Sequence, residues 1–169
     1  LEVLFHSQVP ALMHLDELKG ADGEIGLRLG DNKYFGLINI GDVREFLKLC
    51  EKQPTLIIEG KPVSDSIFHK LEEADSEINI LIGSRKFMQG WNSWRVSTMG
   101  LMNVGKGEGT QIIQLFGRGI RLKGKDFTLL RSTELSDDRA PKYLPILETL
   151  NIFGVRADYI QMFRDILKS

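Results

Sequence analysis

Ile78-Asn79-Ile80-Leu81-Ile82 is a short, β-branched and almost unbroken apolar run. A strand with one face in water alternates apolar and polar residues, whereas a run like this is covered on both faces, as in a parallel sheet. Leu56-Ile57-Ile58, Met99 to Val104 and Phe127-Thr128-Leu129-Leu130 are further strand candidates. Helical patterns lie between them. Ser64 can cap a helix through Ile67, Phe68 and Leu71, and a second helix is expected from about Thr110 to Ile120. Strands separated by helices imply right-handed crossovers, so the expected class is α/β with a parallel sheet flanked by helices.

The ends of the chain read differently. Gly23 to Leu29 alternates apolar and polar positions, Gly30-Asp31-Asn32-Lys33 carries turn chemistry, and Tyr34 to Ile40 follows as a partner strand, which predicts a hairpin. Asp42-Val43-Arg44-Glu45 resembles a capping box, and Val43, Phe46, Leu47 and Cys50 form the inner stripe of the helix it starts. Pro54 closes that helix. At the other end, Tyr143, Leu144, Leu147 and Leu150 give one helical stripe, and Tyr159, Ile160, Phe163, Ile166 and Leu167 a second, with Gly154 as a stop between them. The expected organisation is one domain: a β-rich portion and helix over 1–53, a core over 54–135 and a helical tail over 136–169.

A length of 169 residues with 42% hydrophobic content supports one domain with a real core and is too short for two full α/β domains. The net charge of -1 excludes no partner, because basic groups can line one cleft while the remaining surface is acidic. No apolar run approaches the ~18 residues of a membrane span. Cys50 is the only cysteine and packs best as a small hydrophobe on its helix. Without a disulfide framework or signal peptide, a cytoplasmic location is expected. Leu1 to Phe5 coincides with the front half of a common protease-cleavage linker, but His6 breaks the match, and the segment reads as native.

Chemistry concentrates in two places. Gln114-Leu115-Phe116-Gly117-Arg118-Gly119-Ile120-Arg121 has the pattern Q-x-x-G-R-x-x-R on a segment expected to be helical. Arg118 and Arg121 are three apart and share a helix face. Two adjacent guanidiniums form a receptor for a polyphosphate or for charge developing on one. Upstream, the run Ile78–Ile82 leads into Gly83-Ser84-Arg85, and then to Gly90-Trp91-Asn92. Ser84 and Arg85 thus follow the carboxyl end of a strand, where open α/β sheets bind ligands.

This order, a strand, S-x-x-x-x-x-G-x-N, another strand and then Q-x-x-G-R-x-x-R, resembles motifs V and VI of superfamily 2 helicases. Ile82 to Phe87, Gly90 to Ser97 and Gln111 to Gly124 look like the Res-subunit family of type III restriction enzymes and related DEAD/DEAH-box proteins. The resemblance covers roughly Ile78 to Ser132. It implies a RecA-like, P-loop NTPase-type second domain of an ATP-dependent DNA helicase or translocase. Arg121 would then be an arginine finger for ATP held on an upstream RecA-like domain, with Arg118 supporting it and Gln114 orienting water. Gly90 and Asn92 would couple nucleotide state to the motif and Gly117 would clear the approach of the nucleotide, although the family carries an aspartate where this chain has Asn92. Ser84, Arg85 and Lys106 would contact nucleic acid. Duplex DNA, the upstream domain and a methylation or specificity subunit are the partners so implied. ATP and Mg2+ are the cofactors, and both are bound mainly by the upstream domain.

The chain has no Walker A sequence and no magnesium-binding acidic box, so alone it is expected to hydrolyse nothing. Gly105-Lys106-Gly107-Glu108-Gly109-Thr110 lacks Walker order. Asp16-Glu17 and Glu17-Leu18-Lys19 imitate an acidic box and a nuclease E-x-K without their partners, and read as a strand-end charge cluster. His6, His14 and His69 show no metal-ligand spacing, and no metal is expected within the chain. Two rivals stay open: a RecA-like module that binds nucleic acid or protein without catalysis, and an α/β enzyme using the Gly-rich loop for its own nucleotide.

Overall fold

Gly30 adopts φ +54°, a left-handed conformation that glycine accepts without steric cost, and it turns the chain back after a strand. Asn32 tightens the turn, its backbone and side-chain N–H groups both donating to Leu29 O, at 3.1 and 2.9 Å. The flanking strands β2 (Glu24–Leu29) and β3 (Gly36–Asn39) pair antiparallel, so the expected hairpin is present. The structure, a computed structural model, describes residues 2–62, 65–83, 93, 95–103, 114, 116–117, 119, 126, 128–135 and 141–156. The chain divides into two compact units, Leu1–Trp91 and Asn92–Ser169.

The first unit is α/β and holds a five-stranded sheet in the order β4-β1-β2-β3-β5, where β1 is Met13–Leu18, β4 Leu56–Lys61 and β5 Ile80–Gly83. The sheet is mixed rather than parallel as expected. β1–β2 and β2–β3 run antiparallel, while β1–β4 and β3–β5 run parallel. Connection length explains the difference. Residues 19–23 and 30–35 are too short for a crossover of a dozen or more residues, so these neighbours must reverse direction.

Side-chain alternation separates two faces of this sheet. Leu15, Ile25, Leu27 and Ile38 point to one face, where they cluster with Phe35 and with Leu47 of α2 (Val43–Cys50). Val43, Phe46 and Cys50 complete the contact, so the predicted stripe is the buried one. Asp42 caps α2 by accepting the Glu45 N–H at 2.9 Å. α1 (Glu2–Phe5), a single turn, places Phe5 against the same cluster. The opposite face carries Leu18, Leu37, Leu71 and Ile78 beside a group of charged side chains.

The expected helix through Ile67, Phe68 and Leu71 is one 3-10 turn at Phe68–Lys70, and Ser64 lies outside the described residues. Glu24 accounts for the short turn. Its carboxylate, 1% exposed, accepts the Ile67 and Phe68 N–H groups at 2.9 and 3.3 Å and the Ser66 hydroxyl. A buried carboxylate thus takes the place of a first helical turn.

In the second unit, β6 (Thr98–Met102) and β7 (Asn151–Val155) form a parallel pair. β6 agrees with the expected strand, and Asn103 ends it at φ 55°. The strand expected over 127–130 is absent at Thr128 to Leu130, where Leu129 and Leu130 are exposed. Phe127 lies outside the described residues. The first tail stripe yields only a helical turn at Leu144–Leu147, and the chain then extends into β7. Gly154 is inside that strand, opposite Leu101, and does not act as a stop. The second stripe, from Tyr159 onward, lies outside the described residues.

Candidate functional site

Within the Q-x-x-G-R-x-x-R segment, Gln114, Phe116, Gly117 and Gly119 are helical. Phe116 is 4% exposed, whereas Gln114 and Gly117, three apart and therefore on one face, are both exposed. Gly119 marks where this helical segment meets the strand pair. A Cβ there would lie 2.6 Å from Leu150 Cδ2 and 2.9 Å from Met99 Cε, so one of them would have to move. A side chain at Gly119 would thus have to displace the ends of the Leu150 and Met99 side chains. Arg118, Arg121, Ser84, Arg85, Gly90, Asn92 and Lys106 lie outside the described residues.

A second constellation was not foreseen from the sequence. On the α2-distal face of the five-stranded sheet, His14 and Asp16 of β1, Arg28 of β2 and Glu59 of β4 converge. Asp16 is 0% exposed. Arg28 Nε donates to Asp16 Oδ2 at 2.6 Å, and its Nη2 donates to Glu59 Oε2 at 2.8 Å and His14 Nδ1 at 2.9 Å. Its Nη1 donates to the Gly30 carbonyl. A guanidinium only donates, so Nδ1 of His14 is the acceptor in this contact. Tyr34 completes the cluster, its hydroxyl donating to Asp16 Oδ2 at 2.9 Å.

Gly26 makes room for that tyrosine. It faces Asp16 across the β1–β2 ladder, and a Cβ at this position would lie 2.6 Å from the Tyr34 ring. The electrostatics follow from the contacts. The Asp16 hydrogen bond raises the Arg28 guanidinium above its already high range. Burial first, then the bond to Asp16, pushes the Tyr34 phenol up to about 12. Lys61, with Nζ 3.0 Å from Glu59, holds the Glu59 carboxyl below the ordinary carboxylate value.

Ligand atoms of His14, Asp16 and Glu59 lie within 4.8 Å of one another, a convergence that could suit a metal ion. The Arg28 guanidinium is bonded to all three and already supplies the positive charge among them. A divalent ion would have to displace it from a buried ion pair. The cluster is therefore read as an internal ionic clamp across three strands. It also corrects the reading of Asp16 as part of a strand-end charge cluster, since Asp16 sits mid-strand and fully buried. The missed signal was Arg28 itself. A cation between Leu27 and Leu29, in a strand covered on both faces, requires a buried counter-ion.

Beside the carboxyl end of β1 lies an open cleft of about 430 Å3, lined by Glu17, Lys19, Asp22, Glu24, Asp42 and Arg44 among others. Four carboxylates against two cations make it a poor receptor for phosphate. Cys50, whose thiol burial pushes up, adds no nucleophile to this unit. Among the described residues, the polyphosphate reading thus rests on the exposed Gln114–Gly117 face. Compared with known proteins, the chain matches no family model, no curated protein and no solved structure.

Proposed function

We propose that the chain is the second RecA-like half of an ATP-driven nucleic-acid motor, completing an ATP site whose phosphate-binding loop belongs to a preceding domain. The observation that carries this reading is the arrangement around Phe116. The residue anchors the segment inward while Gln114 and Gly117 face outward, leaving one helix face for a partner. Arg121 follows Gln114 by seven residues, two helical turns, and Arg118 precedes Arg121 by three. The parallel pairings β3–β5 and β6–β7 are of the kind such a sheet uses.

The donor set suits a polyphosphate. Gln114 to Arg121 offers an amide and two guanidiniums and contains no carboxylate, so Mg2+ falls to the preceding domain. Bound ATP supplies the phosphoanhydride whose cleavage drives movement. From this chain, Arg121 meets negative charge that grows only in the transition state, Arg118 supports it, and Gln114 orients water. Ser84, Arg85 and Lys106 hold the nucleic-acid backbone.

The decisive experiment is Arg121→Ala in the protein that joins this chain to its ATP-binding half. ATP turnover should fall by ~10³–10⁵ while duplex DNA binding persists. Unchanged turnover removes the finger assignment, and robust turnover by the 169-residue chain alone removes the composite site.

A further inference from the structure

His14 and Arg28 stand directly opposite each other in the β1–β2 ladder, and Asp16 and Glu59 do so in the β1–β4 ladder. The His14 side chain is 12% exposed, largely enclosed but not cut off from water. Among the described residues, its charged surroundings come from three strands and one turn. β2 contributes Arg28, β1 Asp16 and β4 Glu59, to which Lys61 adds its ammonium at 3.0 Å. Asp31, in the turn after β2, lies 3.5 Å from Arg28 Nη1. Tyr34, on Asp16, has its phenol pushed up to about 12 and keeps its proton at any ordinary pH. Arg28 Nη2 is the pivot of the group. It donates to His14 Nδ1 at 2.9 Å and to Glu59 Oε2 at 2.8 Å, so one nitrogen ties β2 to β1 and to β4. An imidazolium donates from both ring nitrogens and accepts at neither. A charged His14 and the Arg28–His14 bond therefore exclude each other. The same Nδ1 is 3.9 Å from Glu59 Oε2, so an acceptor for a new N–H already stands beside it.

We propose that His14 is a proton-operated switch in the clamp, moving the tie on β4 from Arg28 of β2 to His14 of β1. With the ring neutral, Arg28 Nη2 holds Glu59. With the ring charged, its Nδ1–H reaches Glu59 Oε2 after an approach of about 1 Å. The guanidinium, now facing a like charge, gives up both of these Nη2 bonds and turns Nη2 to Asp16 Oδ1, 3.4 Å away. Its Nε stays on Asp16 Oδ2 at 2.6 Å, so the buried pair beneath survives the change. Charge balance permits both states. Around the neutral ring, Arg28 and Lys61 meet Asp16, Glu59 and Asp31, and one further positive charge evens the count. Each protonation state of His14 thus has one fully paired arrangement. The switch involves β1, β2 and β4 alone and stands whether or not the chain completes an ATP site.

Side-chain NMR of the intact, isotope-labelled chain from about pH 8 to about pH 5 tests the switch. The His14 ring nitrogens, Arg28 Nη2 and the Glu59 carboxylate carbon should shift together, with one midpoint. Glu59 itself is held below the ordinary carboxylate value, so its own titration falls outside that window. His14→Gln keeps an acceptor for Arg28 and takes up no proton, and in it the Arg28 and Glu59 shifts should stay flat. Glu59→Gln removes the carboxylate that receives the new N–H and should move the common midpoint to lower pH. A ring that charges while Arg28 Nη2 and the Glu59 carbon stay flat overturns the transfer of the tie. A ring still neutral at about pH 5 overturns the switch, and so does an Arg28 transition that persists in His14→Gln. A midpoint unmoved in Glu59→Gln overturns Glu59 as the receiving group.

Discussion

The two faces of the five-stranded sheet solve burial in opposite ways. Beneath α2 the buried cluster is apolar, with Leu15, Ile25, Leu27, Ile38 and Leu47 packed by shape alone. Across the sheet, Leu18 and Leu37 share the surface with Asp16, Arg28, Glu59 and Tyr34. The apolar face gains from area removed from water and tolerates volume-conserving exchange. The ionic face holds one arrangement, because each of its groups is costly without its partner. Transverse rigidity thus comes from the clamp across β4, β1 and β2, and bulk stability comes from the α2 side.

The largest effect that sharpens this contrast is Asp16→Ala. It strands the Arg28 guanidinium in the interior and should cost about 3–5 kcal/mol in urea unfolding. Replacing Asp16 and Arg28 together by Leu and Met should recover much of that loss. A double variant as unstable as Asp16→Ala would show that the clamp adds more than it costs. Gly26→Ala comes next. Its Cβ meets the flat of the Tyr34 ring, and a loss of about 1–3 kcal/mol is expected. On the apolar face, Gly36→Ala meets the mobile Leu27 Cδ1 at 3.0 Å and should cost less. If the two alanines are equivalent, the faces do not differ in adaptability.

Smaller effects test each side alone. Asp42→Ala removes the α2 cap and should lower stability by about 1 kcal/mol without disturbing Tyr34. On the ionic face, alkaline titration followed by tyrosinate absorbance should show the Tyr34 phenol ionising near 12, a phase absent from Tyr34→Phe. The sign is fixed by the raised value. The fold favours the protonated phenol, so Tyr34's contribution is whole below the ordinary tyrosine value of 10.0 and disappears as pH rises through about 12. Asp16→Asn, which removes the charge that Tyr34 faces, should bring that titration down.

Local patterns were legible where local chemistry determines structure. The turn at Gly30 to Lys33, the cap at Asp42 and the apolar run before Gly83 all appear where the residues placed them. The apolar run Ile78–Ile82 suggests a strand covered on both faces, but in the structure Ile80 and Leu81 are half-buried and Ile82 is exposed, and strand direction is set instead by the short links between β1, β2 and β3. The 3-10 turn at Phe68 depends on Glu24, more than forty residues away, and no local period encodes that partner. β7 was hidden because Leu144 and Leu147 have helical spacing while Ile152, Phe153 and Val155 suit a strand just as well. In the candidate site, the Gln114–Gly117 face and the inward Phe116 agree with the helical reading of the motif. The ionic clamp was invisible because its members are brought together only by the β1–β2 and β1–β4 ladders.

The order β4-β1-β2-β3-β5 also carries a history of assembly. The three central strands are joined by short loops and can meet within a short stretch of chain, whereas β4 and β5 return only after longer excursions. Contacts close in sequence form soonest, so the meander should be the nucleus and the two outer strands late additions. What joins last on folding is commonly what opens first in the native state. Among the described residues β5 has β3 as its one paired neighbour, so it should be among the first parts of the sheet to open.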